Sequence, residues 1–425
     1  MIKIANNHSP VKQNRLSGLC CGILIFLFFF TRFLISFLGR NTFSTWITTP
    51  YVINYQSGFI ARAFVGSVIA LFTDDLTLKQ FKIIAFTATL ALIALISYLI
   101  GKVIAGISKE LKNTVIIFVF LFVSAPVSLT YMFEAHFGRF DVYMLLLTLI
   151  GLVCLRNPVL KWFVPVICFA AVATHPGYLV TFMPGLAIPM LYEVYRSRCS
   201  KKSVAIFSSS CLILLGLFFY FQLFSRKQLD FSTAEEMGRF LSQHTDMKIG
   251  LPMLYLEYFA PFPDWITKWV IPESLSMNLP EVGIALLTVS LPLIVIFAVV
   301  WKNSIRNAKD KFLKFIFLLC SFTPLMFFVS AFFGHDWDRQ WAPLIHCQFI
   351  YLFYFIVSHE HAVTDSLKHL ADFFEKHSLV LLFILLFAGL AMLSNLGTLF
   401  LNFWDKNLYY DFFGTALRDF EYMLE

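Results

Sequence analysis

Between two apolar stretches the chain carries Phe333-Gly334-His335-Asp336-Trp337-Asp338-Arg339-Gln340-Trp341. A connecting loop needs only a few polar residues, yet this one sets a His, two carboxylates and an Arg between two Trp. Charges at a membrane boundary are costly, and that cost points to function. His335, Asp336 and Asp338 are of the type that takes a proton from a hydroxyl, and Arg339 of the type that holds an anion. A second cluster, Glu134-Ala135-His136-Phe137-Gly138-Arg139-Phe140-Asp141, repeats the chemistry, with His136 and Arg139 beside the carboxylate of Asp141. Both also suit plainer roles: an interfacial turn with an Asp–Arg pair and belt Trp, and a turn in which Asp141 caps the next helix.

A third motif is Asn54-Tyr55-Gln56-Ser57-Gly58-Phe59-Ile60-Ala61-Arg62. A Gly ahead of an amphipathic helix, with Arg62 near its start, suits a phosphate; an interfacial helix whose Arg62 meets lipid headgroups fits equally. His175, in Thr174-His175-Pro176-Gly177, is a candidate base or a structural turn residue. The acidic residues match no standard metal-ligand spacing, and the eight Cys contain no CxxC pair, which argues against zinc and against a disulfide framework. There is no P-loop or Rossmann signature. No cofactor, metal or nucleic-acid partner is expected.

The elements that must carry these residues are membrane helices. Hydrophobic residues make up 59% of the 425, charged residues 14%, and mean hydropathy is +0.75, whereas soluble domains carry about a quarter charged residues. The expected fold class is all-α: a polytopic transmembrane helical bundle of about eleven spans, each about 20 residues long. Clear spans are expected at 17–38, 83–105, 114–133, 140–155, 204–224, 282–300, 315–333, 341–358 and 378–400. The stretch 162–195 is expected to form a hairpin of two short helices broken at His175-Pro176-Gly177. Residues 59–73, which hold Arg62, arbitrate the topology. If they do not cross, nearly all unpaired Lys and Arg clusters fall on one side, the cytoplasmic one by the positive-inside rule. The chain then reads as a single integral domain, 1–425, with its N-terminus cytoplasmic. A first outer segment spans 39–82 and a large outer (periplasmic) loop spans 225–281. His175 and the other polar motifs gather on the outer face.

In its many spans, its one large outer loop, and His335-Asp336-Trp337-Asp338-Arg339 and Gly58-Phe59-Ile60-Ala61-Arg62, the chain resembles bacterial polysaccharide-assembly membrane proteins. These are the O-antigen polymerases and the related GT-C-class transferases that use lipid-linked sugars. The resemblance implies a bacterial inner-membrane protein with a periplasmic active site and an undecaprenyl-diphosphate-linked glycan as donor. Membrane lipid and other polysaccharide-assembly proteins are its implied partners. Catalysis is then expected from Asp336, His335, Asp338 or Asp141, and substrate binding from Arg339, Arg139, Arg62, His136 and His175. GT-C enzymes usually carry an acidic residue in the first outer loop, and here 39–73 holds none before Asp74-Asp75. The balance therefore tilts to a polymerase, ahead of transfer of a single sugar. A transporter ranks third, because the polar clusters lie at span ends and not at midpoints.

Overall fold

The structure, a computed structural model, describes residues 11–38, 40, 43–125, 129–133, 136–260, 279–331 and 337–392. Among them the chain is helical, and the one β-type contact is an isolated bridge between Leu76 and Thr245. The principal helices are α1 (Val11–Leu38), α2 (Thr45–Val52), α3 (Phe64–Ala70), α4 (Leu78–Gly106), α5 (Lys109–Ser124), α6 (Asp141–Arg156), α7 (Val164–Thr174) and α8 (Pro184–Arg196). They continue as α9 (Lys201–Leu223), α10 (Ala234–Ser242), α11 (Leu279–Asn307), α12 (Lys311–Phe322), α13 (Trp337–Val357), α14 (His361–Lys376) and α15 (Ser378–Met392).

Five helical stretches are long and apolar enough to cross a membrane: Arg15–Leu38, Leu78–Gly106, Lys201–Leu223, Lys311–Ser330 and Arg339–Val357. Several other expected spans form helices that are too short for that test. The stretch expected as one span at 114–133 is instead α5, ending at Ser124, followed by a separate turn of helix at Thr130–Phe133. α6 has 16 residues, about 24 Å of rise. The stretch 162–195 is a hairpin, α7 and α8, joined through a 3₁₀ turn at Pro176–Leu179. α3, within 59–73, has seven residues, about 10 Å, too short to cross.

The packing separates a centre from a rim. Of the Arg339–Val357 window 78% is buried, against 22% of Arg15–Leu38, so α13 is the central helix and α1 a peripheral one. Buried polar side chains tie α13 to its neighbours. The Trp301 indole N–H donates to Gln348 Oε1 at 2.6 Å, and Gln348 Nε2 donates to the Cys320 carbonyl at 2.9 Å. Outer faces present large apolar side chains such as Leu24, Ile35, Leu212 and Phe219 to the surroundings, an arrangement compatible with a membrane protein.

α1 lies against α4 through Gly18, Gly22 and Gly101. A Cβ on Gly18 would sit 2.4 Å from the Gly101 carbonyl oxygen, and one on Gly22 2.9 Å from that of Ser97. Small residues four apart let helix backbones approach in lipid, where dispersion and not hydrophobicity drives association. Above this contact the helices are joined by rings: Phe33 lies within 5.0–5.6 Å of Phe86, Phe133 and Phe137.

The bundle has two chemically distinct ends, separated along α6 and α13 by about 22–27 Å of helix rise. One holds Asp141 and Arg339. At the other, Arg156 Nη2 donates to the Val357 carbonyl, Lys202 Nζ to the Pro158 carbonyl, Tyr195 to Asp310 at 2.5 Å, and Tyr192 to Glu360. The tyrosine bond and the Leu313 backbone N–H hold Asp310 below its ordinary carboxylate range. Lys102, Lys161, Lys201 and the Lys302–Lys314 cluster lie on the same helix ends, so this is the basic end of the molecule.

Gly18→Ala is expected to lower stability by about 1–3 kcal/mol through overpacking. Gly216→Ala, whose Cβ meets nothing within 4 Å, is expected to be neutral or mildly stabilising. Thermal unfolding in detergent checks the contrast, and equal behaviour of the two variants would remove the backbone-contact explanation.

Candidate functional site

The turn before α6 is held from three sides. Phe133 and Phe137, four residues apart, pack on the α1 rings Phe29, Phe33 and Phe37, and Ser36 Oγ donates to the Phe133 carbonyl at 2.9 Å. The Tyr51 hydroxyl, fully buried, donates to the Gly138 carbonyl at 2.7 Å. Gly138 has φ +88°, and a Cβ there would meet Ile47 and Phe81 at 2.9 Å, so both conformation and space demand glycine. This turn buries His136, leaves Arg139 half-buried, and delivers Asp141 as the first residue of α6.

Asp141 is 3% exposed, and its carboxylate meets Arg339 across the bundle. Arg339 Nη2 lies 2.7 Å and Nε 3.1 Å from Asp141 Oδ2, so two guanidinium N–H groups converge on one oxygen. The residues are 198 positions apart, one from each of the two His/Arg/Asp motifs. Arg339 sits in the first turn of α13, where a cation opposes the helix dipole; the Asp141 carboxylate offsets that. Next to it the Trp341 indole donates to Ser290 Oγ at 2.8 Å and packs edge-on to Phe327. Removing either member of such a pair leaves a buried charge uncompensated, while replacing both with apolar residues is often neutral. Packing alone therefore does not call for this pair.

Arg62 is placed with an acid that the sequence reading left aside. Its Nη2 lies 2.7 Å from Glu257 Oε1, both side chains about one-fifth exposed. Arg62 has φ +65°, a strained conformation for a non-glycine residue. Glu257 lies on a π-helical turn, Tyr255–Phe259, a geometry recurrent at functional sites. The next residue, Tyr258, donates its hydroxyl to the Ala61 carbonyl at 2.8 Å, and burial raises its pKa. In the same segment, burial pushes Tyr55 up to about 12. The fully buried Ser57 hydroxyl has no partner among the described residues.

The two ion pairs belong to one end of the molecule because 45–62 ties them. This segment gives Tyr51 to Gly138, Thr49 Oγ1 to the Gly250 N–H at 2.9 Å, and Ala61 to Tyr258. His175 stands apart as the cap of the α7–α8 break, its Nδ1 accepting the Gly177 N–H at 3.0 Å. Two expected catalytic residues, His335 and Asp336, lie outside the described residues; so does the side chain of Asp338, whose backbone is in the first turn of α13. No group of three or more His, Cys, Asp and Glu able to hold a metal is found among the described residues.

Compared with known proteins, the chain matches no protein-family model, no curated protein and no solved structure. What fold and site define is a helical protein with several membrane-length apolar helices and two internal carboxylate–guanidinium pairs at one end.

Glu257→Gln is expected to loosen 54–62 from 250–258 while the bundle holds. The check is amide hydrogen exchange, with at least tenfold faster exchange in 54–62 and unchanged protection in α6 and α13. Unchanged protection in 54–62 would mean that the Arg62–Glu257 contact does not hold the segment.

Proposed function

We propose that the chain is an inner-membrane enzyme of polysaccharide assembly that joins undecaprenyl-diphosphate-linked repeat units, with the Asp141–Arg339 end facing the periplasm. The observation that carries the proposal is the buried Asp141–Arg339 pair. It brings a proton acceptor and an anion-binding guanidinium into contact from two separate outer motifs. On this proposal the chain crosses the membrane about eleven times with its N-terminus cytoplasmic, and 39–82 and 225–281 lie outside.

The chemistry follows from the pair. A diphosphate entering the site competes for Arg339 and so uncovers the Asp141 carboxylate. Asp141 then takes the proton of an acceptor sugar hydroxyl as its oxygen bonds to the anomeric carbon. The bond from that carbon to the diphosphate breaks, and the leaving charge is held by Arg339 with help from Arg139. His136, on the same turn, and His335, Asp336 and Asp338, in the chain leading into α13, are the further proposed members of the site. Arg62 and His175 are proposed to bind the glycan.

A specific observation also favours transfer of a single sugar by a GT-C-type enzyme. Residues 39–73 lack an acid of their own, yet Glu257 is delivered onto Arg62 of that segment. In that reading Glu257 is the base and Asp141–Arg339 holds the turn.

Deleting the gene and resolving the surface polysaccharide on a gel separates the possibilities. Loss of the long ladder with one-unit products retained is the expected result; a ladder uniformly shifted by one small step indicates single-sugar transfer, and an unchanged glycan refutes both. Complementation with Asp141→Asn or Arg339→Gln, at equal protein level, is expected to lower ladder synthesis at least about 100-fold. Glu257→Gln is expected to fall within about tenfold of wild type; the reverse ranking transfers the base to Glu257.

A further inference from the structure

Below the Asp141–Arg339 pair, between α4, α6 and α13, lies a cavity of about 490 Å³, within the range of ligand pockets, about 300–1,000 Å³. Its walls are apolar: Ile100, Leu145, Leu149, Leu152, Phe349 and Phe353. Its floor is His346, whose Nδ1 is 2.8 Å from the Ala342 carbonyl and whose ring packs against Phe122 and Phe182. The cavity runs from Leu145 to Arg156 on α6 and from His346 to Val357 on α13, a separation of eleven positions on each, or about 16 Å of helix rise. Tyr98 and Val153 on its rim are 56% and 41% exposed, so it opens sideways as well as at the basic end.

Two cations stand at the mouth. Arg156 is steadied by the Val357 carbonyl at 3.2 Å and by the face of Tyr354 at 5.9 Å. Lys102 lies over the Tyr98 ring at 4.8 Å. An acid tied to this wall, Glu193, accepts from the Tyr354 hydroxyl and has Arg196 at 3.6 Å. The C-terminal carbonyls of α4, α6 and α13 face the same way, and the two cations offset them.

We infer that this cavity is a binding site for an anionic phospholipid, with acyl chain in the groove and phosphate on Lys102 and Arg156. Depth selects the occupant. About 16 Å is half of the roughly 30 Å hydrocarbon core, the reach of one leaflet. A partner helix needs the whole thickness, and the His346 floor stops it; a polyprenyl chain is likewise too long. Charge selects the headgroup, because basic clusters at a membrane surface favour anionic over zwitterionic lipid. The site is distinct from the proposed glycan site, and its occupancy holds α6 and α13 apart below Asp141 and Arg339 whichever reaction occurs above.

The test uses the full chain in a neutral detergent, with phosphatidylglycerol and phosphatidylcholine of matched chains as probes. Phosphatidylglycerol is expected to raise the unfolding temperature at concentrations at least tenfold lower than phosphatidylcholine. That preference is expected to vanish in a K102Q/R156Q double variant. Val153→Trp fills the exposed rim without changing charge, and is expected to weaken the response at least tenfold. Equal responses to the two lipids, or a preference surviving unchanged in both variants, overturns the inference. Where a variant does not fold, lipid retained by wild type from an equimolar mixed micelle decides. At least threefold enrichment of phosphatidylglycerol supports the site, and the micelle's own ratio refutes it.

Discussion

The contact on which the rest of the molecule turns is the ion pair between Asp141 and Arg339. It closes one end of the space between α6 and α13, the central helix of the bundle. A carboxylate and a guanidinium at this depth tolerate little displacement, because each is the other's compensation in a medium that solvates neither. The surrounding construction follows from that intolerance. Phenylalanines of α1 hold Phe133 and Phe137, Tyr51 fixes the Gly138 carbonyl, and Trp341 wedges the start of α13 against Phe327 and Ser290.

Below the pair the same two helix faces become apolar and separate. On α6 the stripe Asp141, Leu145, Leu149, Leu152, Arg156 runs from the polar end to the basic end. On α13 Arg339, His346, Phe349, Phe353 and Val357 do the same. One stripe on each helix thus carries an internal ion pair, an apolar cavity wall, and a rim beside the basic mouth. On the lipid-site proposal, the cavity's occupant bears on the spacing of the two charged residues above it, coupling lipid composition to the geometry of the proposed site.

Helical class was legible from composition, since 14% charged residues cannot cover a water-facing surface of this size. The α7–α8 hairpin was legible from His175-Pro176-Gly177. Span lengths were less so: hydropathy runs on through 125–133, but Pro126 follows the Ser124 end of α5. The motifs holding Asp141 and Arg339 were both singled out, yet their pairing across 198 positions is a tertiary fact with no local signal. Glu257 was missed for the same reason. It sits in an aromatic run that reads as a membrane anchor, and only folding back onto 45–62 gives it Arg62. Gly18-x-x-x-Gly22 was the one missed signal with a sequence signature, a small-residue stripe whose partner, Gly101, lies on α4.

The central claim is that Asp141 and Arg339 act as one unit, and a double-mutant cycle on unfolding free energy addresses it directly. Asp141→Asn and Arg339→Gln are each expected to cost about 3–5 kcal/mol by stranding a buried charge. The double variant is expected to cost less than the sum of the singles by about 2 kcal/mol or more. Additive single effects, or singles that leave stability unchanged, would contradict the account.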